Sequence, residues 1–68
     1  MRAYVYKADP YSGAGILGTG TVTREYKSER ALLRYGVEPL RCSGSSVRVE
    51  IFRNWERRYG EPDKVLVL

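Results

Sequence analysis

Short bursts of alternating apolar and polar residues run along this chain, and each burst predicts a strand. Arg2-Ala3-Tyr4-Val5-Tyr6-Lys7 is the first. In an extended segment Ala3 and Val5 share one face, while Tyr4 and Tyr6 share the other. Asp9-Pro10-Tyr11-Ser12-Gly13 follows with turn chemistry, since Pro fixes φ and Asp and Gly favour the bend. Beyond it, Thr19 to Tyr26 is β-branched and alternates again. Val22, Arg24 and Tyr26 then fall on one side, with Thr21, Thr23 and Glu25 on the other. The two segments predict an antiparallel hairpin with a long, glycine-rich connection.

The period then changes. Ser28 is placed as an N-cap, Glu29 suits a first helical turn, and Ala31, Leu32 and Tyr35 follow at helical spacing. Gly36 stands where a C′ residue is wanted, with Pro39 just beyond. A helix of about two turns is unstable alone and must pack on the sheet. Residues 41–46 are expected to form a polar loop. Val47, Val49 and Ile51 alternate with Arg48 and Glu50, which predicts a strand to about Phe52. A short helix or wide turn opened by Asn54 is expected over 54–59, ended by Gly60 and Pro62. Lys64-Val65-Leu66-Val67-Leu68 is the last strand. So continuous an apolar run is expected to be buried on both faces or to meet a subunit, here a second copy of the chain.

These elements predict a single α+β domain over residues 1–68. It has a small antiparallel sheet of about four strands in β-β-α-β-β order, with one packed helix. A chain of 68 residues buries only about 60% of its extended surface, so the core is marginal. At 43% hydrophobic and 29% charged, the composition is that of a folded domain.

Composition removes several chemistries. With no histidine and one cysteine, Cys42, the commonest general base and the commonest metal ligands are missing. The acids are scattered, mostly beside an arginine or lysine. No metal, cofactor or catalytic set is expected, and the chain is not expected to be an enzyme. Cys42 has no histidine to activate it, so a catalytic thiolate is not expected either. A single cysteine suits a reducing compartment, and neither a signal-type segment nor an apolar run of membrane length is visible, so a cytoplasmic protein without membrane contact is expected.

Gly13-Ala14-Gly15-Ile16-Leu17-Gly18 matches G-x-G-x-x-G, and Glu38 follows at about the 20-residue distance of a nucleotide fold. That fold needs a helix directly after the glycines, with its N-terminus at the pyrophosphate. Thr19-Gly20-Thr21-Val22-Thr23 opposes a helix instead. The glycines are therefore expected to make a hairpin connection with positive φ. Ile16 and Leu17 become an exposed apolar tip able to anchor a partner.

The net charge of +4 is carried mostly by arginine, which makes bidentate contacts to carboxylates and phosphates and stacks on rings. Six tyrosines and one tryptophan accompany it, and Arg, Tyr and Trp are the typical hot-spot residues of interfaces. The densest segment is Arg53-Asn54-Trp55-Glu56-Arg57-Arg58-Tyr59. Arg53, Trp55, Arg57, Arg58 and Tyr59 are its candidate contact residues. Tyr4 and Tyr6, beside Arg2, suggest a base-stacking platform of the RNA-recognition kind. The matching RNP1 signature is missing, and the third strand reads SVRVEIF. The simpler expectation is that both tyrosines pack under the helix.

RAYVYK, TVTREY, SERALLRYG, SVRVEIF and KVLVL, taken as a β-β-α-β-β series in so short a chain, resemble the small accessory proteins of phages and mobile elements, anti-CRISPR inhibitors among them. The resemblance lies in size and element order and carries no site residues. It implies a non-catalytic protein that occupies a surface of a protein or ribonucleoprotein partner. Many such inhibitors are acidic nucleic-acid mimics, whereas this chain is basic. Its basic surface would instead meet an acidic groove or the bound nucleic acid. The alternative is direct nucleic-acid binding through Arg, Tyr and Trp.

Overall fold

The computed structural model describes residues 1–41 and 46–68. Residues 42–45 of the expected polar loop, Cys42 among them, therefore lie outside the described residues. Four strands form one antiparallel sheet in the order β2-β1-β3-β4. They are β1 (Arg2–Lys7), β2 (Thr21–Val22), β3 (Val47–Phe52) and β4 (Lys64–Val67). With the helix after β2, this is the expected α+β architecture.

The register sorts side chains onto two faces. Val5 stands opposite Val49, and Val49 opposite Leu66. This inner face carries Ala3, Val5, Val47, Val49 and Ile51, which pack with Leu32 and Val37 of the helix into the core. Tyr4 stands opposite Val22 and Glu50, Tyr6 opposite Arg48, and Arg2 opposite Phe52. Those residues form the outer face, which turns away from the helix. The expectation that Tyr4 and Tyr6 pack under the helix is thus corrected. Ala3 and Val5 take that side, and strand alternation puts the tyrosines on the other.

The second strand is shorter than expected, and the residue it turns inward is Thr23, just beyond its end. Val22 is exposed, whereas Thr23 is 7% exposed. Thr23 docks on β1 through its own backbone and hydroxyl. Its N–H donates to the Ala3 carbonyl, and the Ala3 N–H donates to Thr23 Oγ1 at 3.0 Å. A satisfied hydroxyl can be buried at little cost. Tyr26 then packs against the core from beyond the strand.

Ser28 caps the helix as expected, its hydroxyl accepting from the Ala31 N–H at 3.1 Å. The helix is 12 residues long, with α geometry over Glu29–Ala31, π geometry over Leu32–Val37 and a 3-10 end over Glu38–Leu40. The wide turn brings Leu32 and Val37, five residues apart, onto the sheet, and both are fully buried. Tyr35, expected on the packed face, is 62% exposed. Gly36 does not end the helix. A Cβ there would lie 2.9 Å from Tyr26 Cε2 and 3.3 Å from Thr23 Cβ, so the glycine lets those two residues pass.

After β3 the chain makes a 3-10 turn over Trp55–Arg57, opened as expected by Asn54, whose Oδ1 accepts from the Glu56 N–H at 3.0 Å. Asp63 closes the base of this excursion by accepting from the Arg53 N–H at 2.8 Å. β4 is an edge strand. The expectation of burial on both faces within the chain is corrected, since Val65, Val67 and Leu68 are all exposed. Among the described residues, no helix is long and apolar enough to cross a membrane.

Candidate functional site

The glycine connection is a compact turn laid over the outer face. Asp9 Oδ1 accepts from the N–H groups of Tyr11 at 2.8 Å and Ser12 at 3.3 Å, and the Gly13 N–H returns to the Asp9 carbonyl at 2.8 Å. Thr19 closes the far side. Its hydroxyl donates to the Ile16 carbonyl at 2.6 Å and accepts from the Lys7 N–H at 3.0 Å. Gly13 and Gly18 have φ of 73° and 82°, the left-handed region that other residues enter at a cost. Gly15 and Gly20 serve close approach. A Cβ on either would stand 3.2 Å or less from the Tyr6 side chain. The G-x-G-x-x-G match is therefore structural: left-handed turn geometry at Gly13 and Gly18 and the Tyr6 side chain against Gly15, rather than a pyrophosphate, account for the glycines.

Along the outer face three rings follow one another, with a fourth beneath them. The Tyr6 and Tyr4 centroids are 6.1 Å apart, and Tyr4 lies 5.0 Å from Trp55. Phe52 sits beneath, edge-on to both Tyr4 and Trp55 at 5.9 Å. It is buried although it faces outward, because Trp55 covers it. Aromatic pairs at such distances stabilise one another by about 1 kcal/mol each. They hold the 3-10 turn down on the sheet.

Two guanidinium groups complete the surface. Arg2 Cζ lies 5.8 Å and Arg58 Cζ 5.6 Å from the Trp55 centroid. Arg58 also stacks on Tyr59 at 4.7 Å, and its Nη1 donates to the Trp55 carbonyl at 3.1 Å. An arginine held this way is pre-ordered, so it loses little side-chain entropy on meeting a carboxylate or phosphate. Tyr59 remains 85% exposed.

The centre of the face is electrically balanced. Arg48 Nε donates to Glu50 Oε2 at 2.9 Å, and Arg48 Nη1 donates to the Gly13 carbonyl at 3.3 Å. The Tyr6 phenol is pushed above the usual tyrosine range, first by burial, then by the Glu50 carboxylate and by Tyr4, with Arg48 acting the other way. Tyr6 is therefore neutral near pH 7 and can only donate or accept a hydrogen bond. A cleft of about 260 Å³ opens beside it, lined by Gly15, Ile16, Leu17, Gly18 and Glu50. Leu17 at its rim is 97% exposed.

Seven of the nine candidate contact residues thus fall on one connected surface or its rim: Ile16, Leu17, Tyr6, Tyr4, Trp55, Arg58 and Tyr59. Arg53 does not. It lines a separate cleft of about 330 Å³ with Met1, Glu29, Ile51, Asp63 and Lys64. Arg57 ends the 3-10 turn with its side chain exposed. Arg48, Glu50 and Phe52 were not candidates. Their shared face was visible in the alternation of VRVEIF, but only strand pairing sets that face beside Tyr4 and Tyr6.

Among the described residues, no three His, Cys, Asp or Glu side chains come close enough to hold a metal ion. No family model, curated protein or solved structure matches the chain.

Proposed function

We propose that the chain is a non-catalytic binding protein that works by covering part of a protein or ribonucleoprotein partner with its outer sheet face. The supporting observation is the ring series Tyr6-Tyr4-Trp55, capped by the stacked guanidiniums of Arg2 and Arg58. It combines aromatic area with pre-ordered cations and leaves Tyr59 and Leu17 free at its two ends. Such clusters supply the few contacts that dominate an interface. Paired charges at the centre, Arg48 with Glu50, favour a partner matched in shape and polarity over a uniformly anionic one. An inhibitor of the anti-CRISPR type would act by occupancy in this way, so a CRISPR effector ribonucleoprotein is the partner class to try first.

The test is inhibition of effector cleavage together with direct binding to the assembled complex. Wild type, an Arg58→Ala/Tyr59→Ala variant and a helix-surface Arg30→Ala/Arg34→Ala variant are compared. The outer-face variant should lose at least tenfold in affinity, while the helix variant binds as wild type. Equal loss in both variants would sink the assignment to this face.

A second reading is favoured by one observation, the exposed Tyr59 ring with Arg58 stacked 4.7 Å from its centroid. This pair offers a base a ring and a phosphate a cation, so single-stranded nucleic acid is the alternative ligand. Fluorescence anisotropy of labelled single-stranded RNA, single-stranded DNA and duplex DNA at two salt concentrations separates the readings. Tight binding that falls steeply with salt favours nucleic acid. No binding at low salt removes it.

A further inference from the structure

The edge strand β4 leaves a row of backbone groups unpaired, and its sequence matches itself. Val47 and Leu68 exchange both N–H to carbonyl bonds, at 3.1 and 2.9 Å. Antiparallel alternation then directs the N–H and carbonyl of Leu66 toward Val49 of β3, and those of Val65 and Val67 outward. No described residue pairs with that outer side. The opposite edge differs, because β2 has only two residues.

Edge strands are normally protected by charge, proline or a bulge. The side chains of residues 65–68 carry no charge and none is a proline, and Val65 and Val67 are 39% and 51% exposed. Lys64 at the start of the strand and Arg48 across from Val67 are both paired within the chain. Lys64 Nζ lies 3.0 Å from Glu29 Oε1, and Arg48 Nε 2.9 Å from Glu50 Oε2. From Val65 onward the side chains of the edge are therefore uncharged as well as apolar. Despite the net charge of +4, a second copy can approach it without opposing like charges.

We infer that β4 pairs antiparallel with β4 of a second copy about a two-fold axis through Leu66, joining two sheets into one of eight strands. In this register Val65 lies opposite the partner's Val67, and their outward N–H and carbonyl groups exchange bonds. The two Leu66 side chains meet on the inner face, where Leu66 already packs against the core. The four valines meet on the outer face, so the two ring-bearing surfaces become one. A two-fold interface requires this self-matching, and Val-Leu-Val supplies it. Pairing over three residues of each strand falls short of the roughly 1,200 Å² usual in stable complexes, so the dimer forms at high protein concentration and dissociates on dilution. This pairing stands apart from the partner proposed above.

The test is sedimentation velocity on the full chain from low micromolar to near-millimolar concentration. A concentration-dependent shift from monomer to dimer is expected. Val65→Pro removes an outward donor without taking a bond from the β3–β4 ladder, so it should abolish the dimer and keep the monomer's circular dichroism. Val65→Lys, a side-chain change at the same site, serves if the proline variant does not fold. Amide exchange at Val65 and Val67 should slow several-fold as concentration rises. A wild-type chain that stays monomeric throughout, or a dimer that survives the folded variant, overturns the inference.

Discussion

At Gly20 an added methyl group would stand 2.7 Å from Tyr6 Cε1 and 3.1 Å from Cδ1. Tyr6 cannot easily move aside, because Tyr4 is its neighbour on the same strand face and Gly15 covers its Cβ. Gly18 differs in kind. Nothing lies within 4 Å of a Cβ there, but its φ is 82°. Gly20→Ala should therefore cost about 1–3 kcal/mol by overpacking, whereas Gly18→Ala should cost about 1 kcal/mol by backbone strain. Urea denaturation of the two variants checks both values. In a Tyr6→Ala background the Gly20→Ala penalty should largely vanish and the Gly18→Ala penalty should persist. A Gly20→Ala penalty that survived loss of the ring would show that the connection does not rest on Tyr6.

At the scale of the element, the helix shows how a local rule yields to packing. Helix propensity favours replacing Gly36 with alanine by about 1 kcal/mol. The site opposes it, since the new Cβ would press on Tyr26 at 2.9 Å and on Thr23 at 3.3 Å. Thr23 is buried and bonded to Ala3 through both backbone and hydroxyl, so it has little room to yield. Gly36→Ala should accordingly destabilise the protein by about 1 kcal/mol, read as a lower thermal midpoint. A raised midpoint would mean that Tyr26 gives way freely. Gly36 is where the chain's own signals mislead. Glycine before a proline marks a helix end by local statistics. Here the helix runs on through it, because a tyrosine from a preceding segment needs the space. The π turn misleads in the same way, since a 3.6-residue period puts Tyr35 inward while the wider turn selects Val37.

For the whole molecule, the sheet order ranks the stability of its parts. β1 and β3 are the inner strands, each paired on both sides. Alternation places the backbone bonds of Tyr4, Tyr6, Arg48 and Glu50 between them. In a domain this small those amides should open only with global unfolding, so native-state hydrogen exchange should find them slowest. Val22 on the two-residue edge strand should exchange orders of magnitude faster. Comparable protection at both sites would contradict the strand order.

Strands β1 and β3, the Ser28 and Asn54 caps and the α+β class were legible in the sequence. Each rests on bonds or alternation within a few consecutive residues, which the order of residues determines by itself. The contact-rich segment around Trp55 was legible too, as a local density of arginine and aromatic residues. Which face those residues share was decided only by tertiary structure. Alternation says that Tyr4 and Tyr6 lie together, but either side of β1 could have met the helix. The choice followed from Ala3 and Val5 fitting against Leu32 and Val37, and from Phe52 of β3 and Trp55 of the turn after it arriving to cover the other side. Arg53, two residues from Trp55, fell elsewhere for the same reason. Neighbours in sequence become neighbours on a surface only when strand pairing and packing, both long-range, turn them the same way.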